Sequence, residues 1–327
     1  MHKWLSRSNL NVSAKATFDS MQRLWLILNV ALLAHAGAFA QKVTSRISSL
    51  KTDEDVKSLV HPLGWEYEEL ILGDSACLVY KPYAHTALRC TGQSWYRADF
   101  DSNGWPDLLV VGLRRDIPFV FCVLDSGNNR FQVVRDFYNS LDERQPTARV
   151  AFRQGQALLR YTAYARRRSG RGKLQNRRTQ LLACRGGGFV PYEKQPTNHH
   201  ITTISYQSRF NYHGQFATTI DINATGLATL KYQATVQGDS VASLKHAQYQ
   251  LSRDQLDSLF DLLNYIHFAT CRPVYGTGME NHRPRVDLQI GYEDGTKVIH
   301  DTKGGGTLGL AQVYENLERL TTQLRLH

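Results

Sequence analysis

The chain has 327 residues and a formal net charge of +10, from 39 Lys and Arg against 29 Asp and Glu. At about 100–200 residues per domain, this length predicts two domains. Hydrophobic residues make up 42% and charged residues 21%, which excludes disorder throughout the chain. The 24 Gly and 9 Pro exclude a collagen-like or proline-rich fibre.

The first forty residues have the features of a secretory signal. Residues 24–34 are apolar and uncharged, follow Arg23, and precede an A-x-A cleavage site at 38–40. The run is shorter than the roughly 20 residues of a membrane span. We therefore predict cleavage after Ala40 and export to the periplasm or the cell exterior, with Met21 as a second possible start and a buried helix as the alternative. The residue directly after the cleavage site is Gln41 and not cysteine, so we expect no lipoprotein anchor. No second long apolar run occurs, so we expect no membrane span in the mature chain.

The cysteine count leaves two interpretations open. An exported chain permits disulfides, and an odd number leaves at least one thiol unpaired within the chain. The alternative is that the cysteines are small buried apolar residues. The five cysteines are Cys77, Cys90, Cys122, Cys184 and Cys271.

Residues 41–190 predict a mainly β domain. Short runs rich in β-branched and aromatic residues alternate with turn residues. Residues 52–60 predict a helix with Thr52 as its N-cap. The predicted strands are residues 95–100, 107–112, 118–124, 130–136, 157–165 and 178–184.

A glycine- and proline-rich stretch at 186–198 predicts a break in the chain, with a linker at 191–198. Residues 199–327 then predict an α+β domain. Ser252 and Gln255 form a capping box before a helix with an apolar stripe, and a second helix follows the glycines at 304–306. The order βββ-α-ββ-α indicates an antiparallel sheet with both helices on one face. The predicted strands are residues 200–207, 215–222, 227–235, 285–292 and 296–300.

The sharpest motif is an aspartate-rich loop after the first strand. Oxygen-bearing side chains recur at its positions 1, 3, 5 and 9, and Gly104 at position 6 permits a positive-φ turn. Calcium takes six to eight oxygen ligands at flexible distances, so this spacing predicts a structural calcium site. A solvated turn without metal is the alternative. The predicted ligands are Asp99, Asp101, Asn103, Asp107 and the carbonyl oxygen of Trp105.

This loop and its flanking strands resemble the FG-GAP/VCBS repeats of secreted proteins and integrin-type propellers. The strand at 95–100, the loop, the strand at 107–112, the strand at 118–124 and the hairpin residues 125–131 follow in the order of such a repeat. The resemblance implies calcium as the ion. Asn103 stands where the repeat usually has aspartate. The chain carries one such copy, so a complete propeller is not expected.

A second conspicuous feature is a basic stretch at 160–185 that contains nine Lys and Arg and no acidic residue. Small residues near 169–172 indicate a hairpin tip. Such a patch attracts polyanions such as an acidic polymer, although a solvated loop without a dedicated partner is the favoured alternative. No specific nucleic-acid motif accompanies it. The candidate polyanion-binding residues are Arg166, Arg167, Arg168, Arg171, Lys173, Arg177 and Arg178.

Residues 199–327 also resemble a family of unknown function in exported bacterial proteins. The resemblance rests on the strand at 216–221, the helical run at 251–268 and the strand pair within 287–299. Many members carry a C-x-x-C-P segment where this chain has residues 208–214 without cysteine. The resemblance implies the fold and export, and it implies no activity.

Two functional hypotheses follow. The chain contains no H-E-x-x-H, G-x-S-x-G, P-loop or dinucleotide-binding motif, and the adjacent His199 and His200 face opposite ways in a strand. The favoured hypothesis is an exported, non-catalytic binding or structural protein that carries calcium. The alternative is a cell-envelope hydrolase with Asp221, Asp287 and Asp301 as carboxylates. His267, His282 and His300 are interpreted as ordinary surface or satisfied histidines.

Overall fold

The computed structural model describes most of the chain from residue 45 onward, and Ser45–His327 forms one compact unit. The predicted signal, Cys77, Cys90, His282 and residues 166–176 of the basic stretch lie outside the described residues. The described segments are residues 45–73, 93–115, 117–135, 137, 143–165, 177–211, 214–236, 242–276, 284–302, 304 and 306–325.

The first part of the fold is a small antiparallel sheet with short helices beside it. Its order is β1-β3-β4-β5, and β2 pairs with β3. Apolar side chains of these helices and strands form one buried cluster. The elements are the helices α1 (Arg46–Ser49) and α2 (Asp53–Val60), the 3₁₀ turns His61–Leu63 and Trp65–Tyr67, and the strands β1 (Leu70–Ile71), β2 (Trp95–Ala98), β3 (Asp107–Arg114), β4 (Ile117–Asp125) and β5 (Phe131–Val134).

A second sheet follows as an antiparallel meander in the order β6-β7-β8-β9. Gly186 and Gly187 have φ of 58° and 77° and make the tight turn between its last two strands. The glycine run that suggested the start of a break is therefore a hairpin turn, because these positions need the left-handed conformation that glycine adopts freely. The strands are β6 (Glu143–Arg153), β7 (Gln156–Ala165), β8 (Arg177–Arg185) and β9 (Gly188–Pro191).

The third sheet has the order β13-β12-β11-β10-β15-β16-β14. All its pairings are antiparallel except that of β14 with β16. The strands at 242–250 and 274–275 extend the predicted βββ-α-ββ-α order. The elements are β10 (Ile201–Asn211), β11 (Gly214–Asn223), β12 (Leu227–Val236), β13 (Ala242–Gln250), β14 (Val274–Tyr275), β15 (Arg285–Tyr292) and β16 (Gly295–Asp301), with the helices α3 (Arg253–Tyr265) and α4 (Leu308–Arg325) and the 3₁₀ turn Phe268–Thr270.

Both long helices cover the same face of the third sheet. Alternate residues of β10, such as Ile204 and Tyr206, share one buried cluster with residues of both helices. Leu158, Ala183 and Val190 of the second sheet belong to the same cluster, and α4 packs against β9. The mainly β character with antiparallel sheets and few helices is confirmed. The described residues on the two sides of the predicted 191–198 linker share this core.

The predicted capping box at the start of α3 is confirmed. Ser252 Oγ accepts a hydrogen bond from the Gln255 N–H, and the Gln255 side chain accepts one from the Ser252 N–H. Residues 53–60 form the predicted helix as well, with Thr52 as its cap. These local signals were sufficient because the cap and the first helical turn lie within four residues of each other.

Replacing Ser252 with alanine should lower the free energy of unfolding by about 0.5–2 kcal/mol, because the Gln255 N–H loses its partner. Ser258 is exposed within the same helix, and Ser258→Ala is the matched control, with little change or a slight gain expected. Urea unfolding of the three chains measures both effects. Equal losses for the two variants would contradict the role of the cap.

Within the residues that the structure describes, no helix combines the length and the apolar character that crossing a membrane requires.

Candidate metal-binding loop

The aspartate-rich loop joins β2 to β3 and is anchored by its last carboxylate. Asp107 is fully buried. Its two carboxylate oxygens accept hydrogen bonds from the backbone N–H of Phe100 at 2.7 Å and of Asp125 at 2.8 Å. Asp107 therefore connects the start of the loop to the end of β4.

The rest of the loop wraps around Asp99. This carboxylate accepts hydrogen bonds from the backbone N–H of Asn103 at 3.1 Å and of Gly104 at 2.9 Å. Asp101 accepts a second bond from the Asn103 N–H at 3.2 Å. Gly104 has φ of 85°, as the predicted turn requires. The loop thus turns its first two aspartates toward the same centre.

The structure brings three of the five predicted ligands together. One carboxylate oxygen each from Asp99, Asp101 and Asp107 lies within 4.8 Å of the other two. The Asn103 amide serves the turn instead, because its Oδ1 accepts from the Trp105 N–H at 2.7 Å. Its Nδ2 donates to Asp101 at 3.0 Å and to the Asp125 carbonyl oxygen at 2.8 Å.

Two of these carboxylates have raised pKa values. The pKa of Asp107 is raised to about 7, mainly by burial and to a smaller extent by the charges of Asp101 and Asp99, against the lowering effect of its two backbone hydrogen bonds. Burial also raises the pKa of Asp101. A bound cation would favour the ionised form of both carboxylates. The donor set, made of carboxylate oxygens in a tight turn, fits a hard divalent ion.

Asp125 is a buried carboxylate that the sequence analysis did not single out. It accepts hydrogen bonds from the Ser45 hydroxyl at 2.5 Å and from the Gly127 N–H at 2.8 Å. The Trp105 side chain lies against Gly127, where a Cβ atom would be 2.8 Å from the indole nitrogen. The β4–β5 turn therefore packs against the aspartate loop. The sequence signal that could have identified Asp125 is an aspartate at the end of an apolar strand, just before a glycine-asparagine turn.

The described cysteines do not form disulfides. Cys122, Cys184 and Cys271 carry free thiols, and the first two are buried. Burial raises the pKa of all three thiols, so they are poor nucleophiles. For Cys122 and Cys184 the structure supports the interpretation as small buried residues.

The basic stretch is described only at its edges. Arg160 and Arg178 are exposed on β7 and β8. Arg185 lies apart from them, because its guanidinium stacks 4.9 Å from the centre of the Tyr265 ring and donates to the Cys184 carbonyl oxygen. The side chains of the remaining candidates, Arg166, Arg167, Arg168, Arg171, Lys173 and Arg177, lie outside the described residues.

The three carboxylates of the hydrolase hypothesis are not brought together. Asp221 accepts a hydrogen bond from the Ser205 hydroxyl at 2.6 Å. Asp287 lies 2.7 Å from Nδ1 of His300. Asp301 is buried opposite Val286 in the pairing of β16 with β15, on the face covered by the helices. Asp287 is the next residue after Val286, and successive residues of a strand face opposite sides. Asp287 therefore lies on the other face of the sheet from Asp301, and the three carboxylates share no cleft.

Comparison of the chain with models of known families, with curated proteins and with solved structures finds no match.

Proposed function

We propose that this chain is an exported, non-catalytic binding or structural protein whose β-rich part is stabilised by one calcium ion in the 99–107 loop. The observation that carries the proposal is the convergence of Asp99, Asp101 and Asp107 within 4.8 Å. It is supported by the buried position of Asp107 at the junction of β3 and β4.

Three carboxylates supply half of the smallest ligand set that calcium takes. The Trp105 carbonyl oxygen, further oxygens of the same carboxylates and water would supply the others. In this proposal Asn103 contributes to the turn through its hydrogen bonds to Asp101 and Trp105. One carboxylate fewer than in the usual repeat places the affinity toward the weak end of extracellular sites, at about 10⁻⁴–10⁻³ M.

The role assigned to the ion is structural. The loop is hydrogen-bonded to the end of β4 through Asp107 and through Asn103, and Phe100 is fully buried next to it. A cation that holds the three carboxylates would therefore order both strand ends at once. In the same proposal, residues 41–190 are the β-rich part and residues 199–327 are the α+β part. Export rests on the signal-like residues 1–40, and an acidic polymer is the candidate partner of the basic stretch.

The calcium proposal predicts a higher melting midpoint in about 10 mM calcium than in chelator. At 10 to 100 times the Kd, the ion adds about 1.4–2.7 kcal/mol to the stability, which corresponds to a shift of roughly 3–10 °C for a unit of this size. Asp101→Ala should abolish the shift, because it removes a ligand from the centre of the loop.

The matched control is Asp261→Ala, which removes an exposed aspartate of α3 and should keep the full shift. Calorimetry on the three chains, each with calcium and with chelator, gives the result. A wild-type midpoint that does not respond to calcium, or a shift that survives Asp101→Ala, would contradict the proposal.

A further inference from the structure

A second group of metal-ligating side chains lies at one end of the third sheet, far from the aspartate loop in sequence. The imidazole Nδ1 of His199 lies 3.1 Å from Oε1 of Glu293 and 3.9 Å from Oδ2 of Asp294. The three ligand atoms are all within 4.8 Å of one another. Glu293 and Asp294 form the two-residue turn between β15 and β16, which fixes them side by side.

The backbone of His199 is held in place by helix α3. The His199 N–H donates to Oδ1 of Asn264 at 3.0 Å, and Nδ2 of Asn264 donates to the His199 carbonyl oxygen at 3.1 Å. Asn264 is itself buried. This reciprocal pair fixes the position from which the imidazole extends toward the turn.

The plane of the imidazole is fixed as well. Its ring makes edge contacts with Phe268 and Tyr292, with ring centres at 5.4 Å and 5.1 Å and interplanar angles of 72° and 69°. Phe268 is fully buried. These two aromatic contacts thus restrain the plane of the imidazole, from which Nδ1 faces the carboxylates.

A single ion pair does not account for this arrangement. The one N–H of Nδ1 can donate a good hydrogen bond to one carboxylate, whereas two carboxylates face it. The side chains of Glu293 and Asp294 are 41% and 70% exposed and that of His199 is 21% exposed, so water and ions reach the group from the outside. A neutral imidazole and two carboxylates together carry a charge of −2, which a divalent cation would neutralise.

We propose that His199, Glu293 and Asp294 form a binding site for a divalent transition-metal ion of the zinc class, with solvent completing its coordination. In open zinc sites three protein ligands and one water bind the ion, with nitrogen and oxygen atoms at about 2.0–2.2 Å in tetrahedral geometry, which places neighbouring ligand atoms about 3.3–3.6 Å apart. The observed separations of 3.1 and 3.9 Å bracket that range.

The donor set also selects the ion. Imidazole nitrogen is a ligand for zinc and copper, whereas calcium and magnesium prefer oxygen alone. The site is therefore distinct in chemistry from the aspartate loop, where the candidate ligands are oxygens. The two sites should fill independently, with calcium in the loop and zinc at His199.

Titration of the full chain with zinc chloride, in calcium-containing buffer and followed by calorimetry, tests the proposal. We expect one equivalent of zinc at this site. His199→Ala and Glu293→Gln should each weaken its affinity at least about tenfold. Glu293→Gln keeps the shape of an exposed turn residue, so it remains informative if His199→Ala fails to fold.

His200→Ala is the matched control, because this neighbouring histidine is exposed and not part of the group. It should change the affinity by less than about twofold, and Asp101→Ala should also leave zinc binding intact while it removes the calcium response. The proposal is overturned if the wild-type chain binds no zinc at millimolar concentration. It is equally overturned if zinc binding survives both His199→Ala and Glu293→Gln, or is lost to the same extent in His200→Ala.

Discussion

Replacing Asp107 with alanine is expected to lower the free energy of unfolding by at least about 2 kcal/mol even in chelator. The substitution leaves the N–H groups of Phe100 and Asp125 without their partner, and both residues are fully buried. A buried donor without an acceptor costs about 1–3 kcal/mol. Two such donors together cost about 2–6 kcal/mol. Removal of a carboxylate whose pKa is raised by burial offsets part of that loss, so about 2 kcal/mol is the expected minimum.

Asp101→Ala in chelator is the matched comparison for this experiment. Asp101 is only partly buried, and burial together with the neighbouring Asp99 raises its pKa. Its removal without calcium should therefore change the stability by no more than about 0.5 kcal/mol, or increase it. Urea unfolding in chelator separates the two roles. Similar losses for Asp101→Ala and Asp107→Ala would show that Asp107 has no special part in holding β3 to β4.

The features predicted well from the sequence are those that depend on near neighbours. The N-cap at Thr52, the capping box at Ser252 and the strand at 285–292 are set by contacts within a few residues or by simple alternation. The spacing of the aspartate loop belongs to the same class, since Asp99, Asp101 and Asp107 lie within nine residues. Local chemistry was sufficient to predict that they converge.

The missed strands lack such local signals. Strand β6 contains Pro146, which argues against a regular strand, and its pairing with β7 is irregular between Arg144 and Thr147. A bulge at this point accommodates the proline. Among the strands that the structure describes, β13 pairs only with β12 and so lies at the edge of its sheet. Polar residues there, such as Lys245 and His246, obscure the alternation that predicts a strand.

The group of His199, Glu293 and Asp294 could not be predicted from the sequence for a different reason. The separation between His199 and Glu293 is 94 residues, and their contact depends on the pairing of β10 with β15 and on the position of α3. From the sequence, the histidines at 199 and 200 are expected to face opposite ways in a strand, and the acidic pair falls between the predicted strands at 285–292 and 296–300. Only the sheet order brings one of those histidines to that pair.

Replacing Phe189 with alanine is expected to cost about 3–5 kcal/mol, the usual loss for a buried phenylalanine. Phe189 is 1% exposed, and its ring packs edge-on against Phe100 and Phe137, each with ring centres 5.4 Å apart. Phe100 belongs to the aspartate loop, and the strand of Phe189 packs against α4. The cavity would therefore weaken the core between the first two sheets, while the adjacent Val190 belongs to the core that the second sheet shares with the third sheet and its helices.

Because the β-rich part and the third sheet with its helices share a buried core, the protein should unfold in a single transition. The midpoint of that transition should move to a lower denaturant concentration. Phe152→Ala is the matched control, since this phenylalanine is 68% exposed and its loss should cost no more than about 0.5 kcal/mol. Fluorescence and circular dichroism followed in the same urea series measure the two variants. If Phe189→Ala shifts only one of two separate transitions, residues 41–190 and 199–327 unfold independently, and the shared core does not couple them.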